Sequence, residues 1–142
     1  MWPDYLDNPQ AIYSAFPSAV PELKDLRPGK LVIDFAGGIL LGLDAQPLPD
    51  GSPPRWRDNG NDGLEYRFMF YDTSDLSVLG TAQHLADRAS DGVTLELDSG
   101  AASLFSQGRA FKATFKFRGV RIFLHPFSQA RRLDLQESWP AP

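Results

Sequence analysis

The sequence contains no cysteine, so a disulfide framework, a thiol nucleophile and every cysteine-ligated metal site are excluded together. Histidine is nearly as scarce. His84 and His125 show no H-E-x-x-H or similar spacing, and two imidazoles are too few for a histidine metal site without carboxylate help. Their plainer reading is a polar-loop residue and a strand-end residue before Pro126. Long apolar runs are also missing: the longest, Phe35 to Leu43, is interrupted by three glycines and falls far short of the roughly 18 residues needed to cross a bilayer. The opening Met1-Trp2-Pro3-Asp4-Tyr5-Leu6-Asp7 is acidic and broken by proline, unlike the basic-then-apolar start of a secretory signal, which sets the expectation of a cytoplasmic protein. No G-x-S-x-G elbow, P-loop or strand-borne G-x-G-x-x-G occurs, so hydrolase-elbow and nucleotide chemistry have no signal.

What is present describes an ordinary folded domain. With 142 residues, 42% of them hydrophobic and 23% charged, the chain suits one core, and residues 1–142 read as a single domain. The net charge of −4 conceals an asymmetry: residues 1–108 carry 16 acids against 7 bases, residues 109–142 carry 2 against 7. The two parts either attract one another within the fold or face different partners.

Asn8 before Pro9 predicts a helix opening, with Ala11, Ile12 and Phe16 as its short apolar face and Pro17 and Pro21 as its end. From Lys30 the period changes to two. Leu31, Ile33 and Phe35 face one way, Ile39, Leu41 and Leu43 follow, and the intervening Gly37-Gly38 predicts a hairpin. Gln46 to Gly63 is long and rich in Pro, Gly, Asp and Asn, and such loops often carry contacts. Leu64, Tyr66, Phe68 and Phe70 alternate with Glu65, Arg67 and Met69, the pattern of a half-buried strand near a sheet centre, with Leu76 to Leu79 expected to return beside it. Val93, Leu95 and Leu97 predict another strand. Phe111, Ala113, Phe115 and Phe117 predict one more, with Val120, Ile122 and Leu124 returning from Gly119 as its partner. Leu133 and Leu135 suit either a short strand or a helical turn from Ser128. The sum is seven to nine strands and an N-terminal helix: an α+β, mostly β fold, an antiparallel sandwich or strongly curved sheet of hairpins.

Candidate chemistry within this frame is thin. Asp58-Asn59-Gly60-Asn61-Asp62-Gly63 has the outline of a calcium loop, but Gly60 stands at its third position and Met69 where the bidentate Glu belongs, so turn chemistry is the better account. Carboxylate pairs are plentiful without a defined separation. Lys112, Lys116, Arg118 and Arg121 would place four cations along a hairpin as a phosphate-tracking face. A solvated strand face explains them better, since the aromatics here point inward. No catalytic residue, cofactor or metal is expected.

Taken in order, Asn8-Pro9 with Ala11-Ile12-Tyr13, Pro21-Glu22-Leu23, Pro47-Leu48-Pro49, Pro53-Pro54-Arg55-Trp56, Leu64 with Phe68, Phe70 and Asp72, and Leu76, Val78 and Gly80 carry a resemblance. The chain resembles the immunity protein family numbered fifty, among the bacterial antitoxin partners of polymorphic toxins. The likeness runs over residues 8–125, most firmly over 8–80. It implies a non-enzymatic protein that binds its cognate toxin domain and blocks it by occlusion. Acidic residues along most of the chain suit a basic partner such as a nuclease. Trp56, flanked by Arg55 and Arg57, is the candidate toxin-binding anchor, with Asp58 and Asp62 adding charge; the preferred alternative has Trp56 folded back over one end of the sheet. The competing class is a small-molecule or nucleic-acid binding β domain, the former with a pocket lined by Tyr66 or Phe68.

Overall fold

The structure, a computed structural model, describes residues 1–80, 92–106, 108 and 110–135. Among them, eight strands follow one another along the chain: β1 (Arg27–Ile33), β2 (Ile39–Ala45), β3 (Gly63–Tyr71), β4 (Ser74–Leu79), β5 (Val93–Asp98), β6 (Ala101–Ser106), β7 (Lys112–Lys116) and β8 (Gly119–Phe127). They form two four-stranded antiparallel sheets, ordered β1-β2-β3-β8 and β4-β7-β6-β5. Short helices α1 (Gln10–Ala15), α2 (Pro54–Asp58) and α3 (Gln129–Leu135) and a 3-10 turn at Trp2–Tyr5 complete the described fold. The mostly β, antiparallel sandwich expected from the sequence is therefore the architecture found.

Alternation in β3 dictates the core. Leu64, Tyr66, Phe68 and Phe70 are fully or almost fully buried on one face, and successive rings stack along the strand, Tyr66 on Phe68 at 6.5 Å and Phe68 on Phe70 at 6.0 Å between centroids. Across the sandwich Phe70 meets Phe115 edge-on at 4.8 Å and Phe117 at 5.1 Å, so an aromatic seam joins the sheets. β3 and β8 pair over nine residues, from Gly63 opposite Phe127 to Tyr71 opposite Gly119. A Cβ on Gly63 would overlap the Phe127 ring, and one on Gly119 the Tyr71 ring. Each glycine is thus the floor on which a cross-strand aromatic lies.

Several expectations change in detail. Leu76–Leu79 does not pair with β3: β4 crosses to the other sheet and pairs with β7. Likewise β7 and β8 are not a hairpin. Phe117 donates its N–H to Gly100 O while Arg118 donates to Tyr71 O, so the chain switches sheets between consecutive residues. Phe115 and Ile122 still reach one core, because both inner faces of a sandwich turn toward it. The cations Lys112, Lys116, Arg118 and Arg121 are consequently split between two sheets, with Lys116 paired to Asp75 and Arg118 to Asp72 at the surface. β6 adds a strand that its Ala- and Ser-rich sequence did not announce. His84–Asp91, expected as a polar connection, lies outside the described residues.

Gly37 takes a positive φ in the β1–β2 turn, whereas Gly38 does not. Asn8 leaves α1 without a side-chain cap: its amide donates to Ile122 O at 2.8 Å and accepts from Ile122 N at 3.0 Å, closing the outer edge of β8. The edge of β5 is closed by Leu26, bonded both ways to Val93, and by Leu23 O, which accepts from Leu95 N. The long segment 46–63 is no free loop, since it holds α2 and sends Leu48 and Trp56 into the core. Of the two readings for the C-terminal segment, helix α3 is the one present.

A candidate interaction face on the first sheet

The outward side of the first sheet is set by register. Cross-strand partners align Arg27, Asp44, Glu65 and His125 in one row, then Lys30, Gly42, Arg67 and Phe123, then Val32, Leu40, Met69 and Arg121. These rows divide the face into an ionic end and an apolar end.

At the ionic end, Asp44 and Glu65 stand directly opposite each other, an arrangement that repels unless cations intervene. Arg132 of α3 intervenes, donating from Nη1 to Asp44 Oδ2 at 2.8 Å and from Nη2 to Glu65 Oε2 at 2.9 Å. The other Glu65 oxygen accepts from Arg67 Nε. The Arg132 guanidinium also lies 4.1 Å from the centre of the Phe127 ring. Helix α3 is aimed by the preceding loop: Asp62 Oδ1 accepts from Gln129 N at 2.9 Å, and Arg131 Nη2 reaches Asn59 O and Asn61 Oδ1. Burial pushes the Asp44 carboxyl above its ordinary range, and Glu65 adds to this, while Arg132 works in the opposite direction. Glu65 is only 1% exposed, with both oxygens bound to guanidinium groups, which suits a lock for α3 and leaves no access for acid–base work.

The other end is different in kind. Met69, Tyr71 and Phe123 are each more than two fifths exposed on one sheet face, with Val32 and Leu40 half-buried beside them. Met69 and Phe123 are diagonal cross-strand neighbours, close enough to form one patch. At the same end of the sheet the β1–β2 turn leaves Phe35 wholly in solvent. That turn is firmly held: Asp34 N donates to Gly38 O, Ala36 N to Asp34 Oδ1, and both Thr73 N and Oγ1 donate to Gly37 O. Lys30 and Arg121 flank the patch on the sheet, and exposed Asp34 lies beside it in the turn.

The residues singled out in the sequence lie elsewhere. Trp56 is buried, edge-on to Phe16 at 5.9 Å, so covering the core is its role and it offers no exposed anchor in this conformation. Asp58 is exposed at the end of α2, and Asp62 holds the first amide of α3. The three do not converge into one site. Among the described residues no group of three or more His, Asp or Glu side chains is placed to hold a metal ion, and no helix is long and apolar enough to cross a membrane. The usable signal for the apolar face was the set of large residues at outward positions of alternating strands, Met69, Tyr71 and Phe123. No protein-family model, no curated protein and no solved structure matches this chain.

Proposed function

We propose that this chain is a cytoplasmic immunity protein that binds its cognate toxin domain and blocks it by occlusion, without turnover. The observation that carries the reading is the exposed cluster of Met69, Tyr71 and Phe123 on an open sheet face, with Phe35 projecting from a pinned turn at the same end. Contiguous apolar side chains on a rigid surface favour a protein partner, because burying them is favourable and little conformational freedom remains to be lost. The ordered motifs from Asn8 to Gly80 support the same assignment. Dispersal of Lys112, Lys116, Arg118 and Arg121 over two sheets weighs against the nucleic-acid alternative.

The test is co-expression. The toxin domain encoded beside this gene is induced in a susceptible host with and without the protein, and the two purified proteins are mixed. Survival together with a stoichiometric complex is expected; toxicity unrelieved by a folded, expressed protein refutes the pairing.

A further inference from the structure

The β1–β2 turn is braced more heavily than a surface hairpin requires. Asp34 N donates to Gly38 O at 2.8 Å and Gly37 N to Asp34 O at 2.9 Å, the pattern of a three-residue loop in which a tight turn is followed by a residue of positive φ. Gly37, with φ of 102°, supplies that residue. Asp34 Oδ1 accepts from Ala36 N at 2.9 Å, and Thr73 ties the loop to the β3–β4 connection, its N and its Oγ1 each donating to Gly37 O at 2.9 Å. At the tip stands Phe35, with a relative exposure of 104%. The second position of such a turn accepts most residues and favours proline, so the fold itself does not require an aromatic there. A single exposed apolar residue is ordinary, but this one is fixed at the same end of the sheet as the exposed Met69, Tyr71 and Phe123.

A ring that stands clear of its own surface is covered on both faces and its edge only by a concave partner, since a flat one reaches a fraction of it. Because the backbone beneath Phe35 is already fixed by hydrogen bonds, insertion costs little beyond the rotamer freedom of the ring. Asp34 adds a charge at the tip: one of its oxygens is used by Ala36 N, and the carboxylate stays exposed. We propose that Phe35 is a plug, which enters an apolar pocket of the toxin domain beside a lysine or arginine of the toxin that meets Asp34. Thr73 is the positioning residue that keeps the plug aimed. The inference rests on the immunity reading and adds the shape of the surface it requires, a pocket for Phe35 with Met69 and Phe123 packed against its surround.

The experiment is a double-mutant cycle, read by calorimetric titration of the full chain with the toxin domain encoded beside this gene. Phe35→Ala, Thr73→Val and the pair are compared with the parent, with melting curves for all four. Phe35→Ala should melt with the parent yet lose at least about thirtyfold in affinity. Thr73→Val should lose about fivefold when Phe35 is present and almost nothing once it is gone, a coupling that a merely structural role would not produce. Asp34→Asn, which keeps the acceptor for Ala36, should bind about threefold more weakly at low salt and closer to the parent at high salt. Parent-like binding by Phe35→Ala overturns the plug, and equal losses from Thr73→Val with and without Phe35 overturn its positioning role. Sedimentation of the parent alone should show a monomer; a dimer that Phe35→Ala abolishes gives the tip to a second copy and overturns the proposal. A parent that neither binds nor protects is a different result, which overturns the immunity reading and the plug with it.

Discussion

The ionic and apolar ends of one sheet face spend their side chains differently. Where Asp44, Glu65 and Arg132 meet, charge is taken out of water and tied by short hydrogen bonds, and the helix above is held in place. One and two rows along, Phe123 and Met69 keep more than two fifths of their surface in water. Removing charge from solvent is costly unless every partner is present, while leaving large apolar groups in solvent is costly unless a partner arrives. The first end is explained by the chain itself; the second is the face proposed above for a protein partner.

The comparison is broken most severely at Arg132. Arg132→Ala leaves Asp44 and Glu65 facing each other with Arg67 as the nearest remaining clamp, and should cost about 3 kcal/mol in chemical denaturation. Asp44 sharpens the same point through pH. Its folded carboxyl sits above the unfolded value, so the native state retains a proton that the unfolded chain has released, and its contribution to stability falls as pH rises through that window. The stability of the parent relative to Asp44→Asn should therefore decline as pH rises through and above the ordinary carboxylate range, and level off once the folded carboxyl has ionised. A difference that grows with pH would reverse the assignment. Asp62→Ala, which removes the acceptor for the first amide of α3, should cost about 1 kcal/mol and loosen the helix in hydrogen exchange before it affects the sheets. Smallest of all, Lys116→Ala breaks a pair whose side chains are both 68% exposed, and its melting curve should move by no more than about 0.5 kcal/mol. Were Lys116 to matter as much as Arg132, burial would not be what distinguishes these charges.

Period-two patterning made most of the core readable: the inward sets of β3, β5, β7 and β8 are all where alternation puts them. Alternation does not say whether a turn folds a strand back on its neighbour or carries it to the opposite sheet. Both solutions bury Phe115, Phe117, Val120 and Ile122, so alternation alone does not distinguish the crossings at Asp72–Thr73 and at Phe117–Arg118 from hairpins. Asn8 was equally ambiguous, because the amide that can cap a helix can also bracket the backbone of an edge strand, and here β8 lies within its reach. β6 is hard to read from sequence, since Ala102 and Ser106 bury little apolar surface and give a faint signal. The candidate site was the least legible part. Trp56 drew attention by size, yet a large ring in a proline-bounded loop finds the core as readily as the surface. Outward Met69, Tyr71 and Phe123 become one patch only after β3 and β8 are known to be neighbours.

Charge placed in that patch is the most direct test of the account. A double variant, Met69→Asp with Phe123→Asp, is carried through the toxin co-expression assay, with its melting curve recorded alongside. Both positions point away from the core, so folding should be nearly unaffected, while protection should be lost and affinity for the toxin should fall at least about a hundredfold. Full protection by a stably folded double variant would contradict the claim that this end of the first sheet is the toxin-binding face.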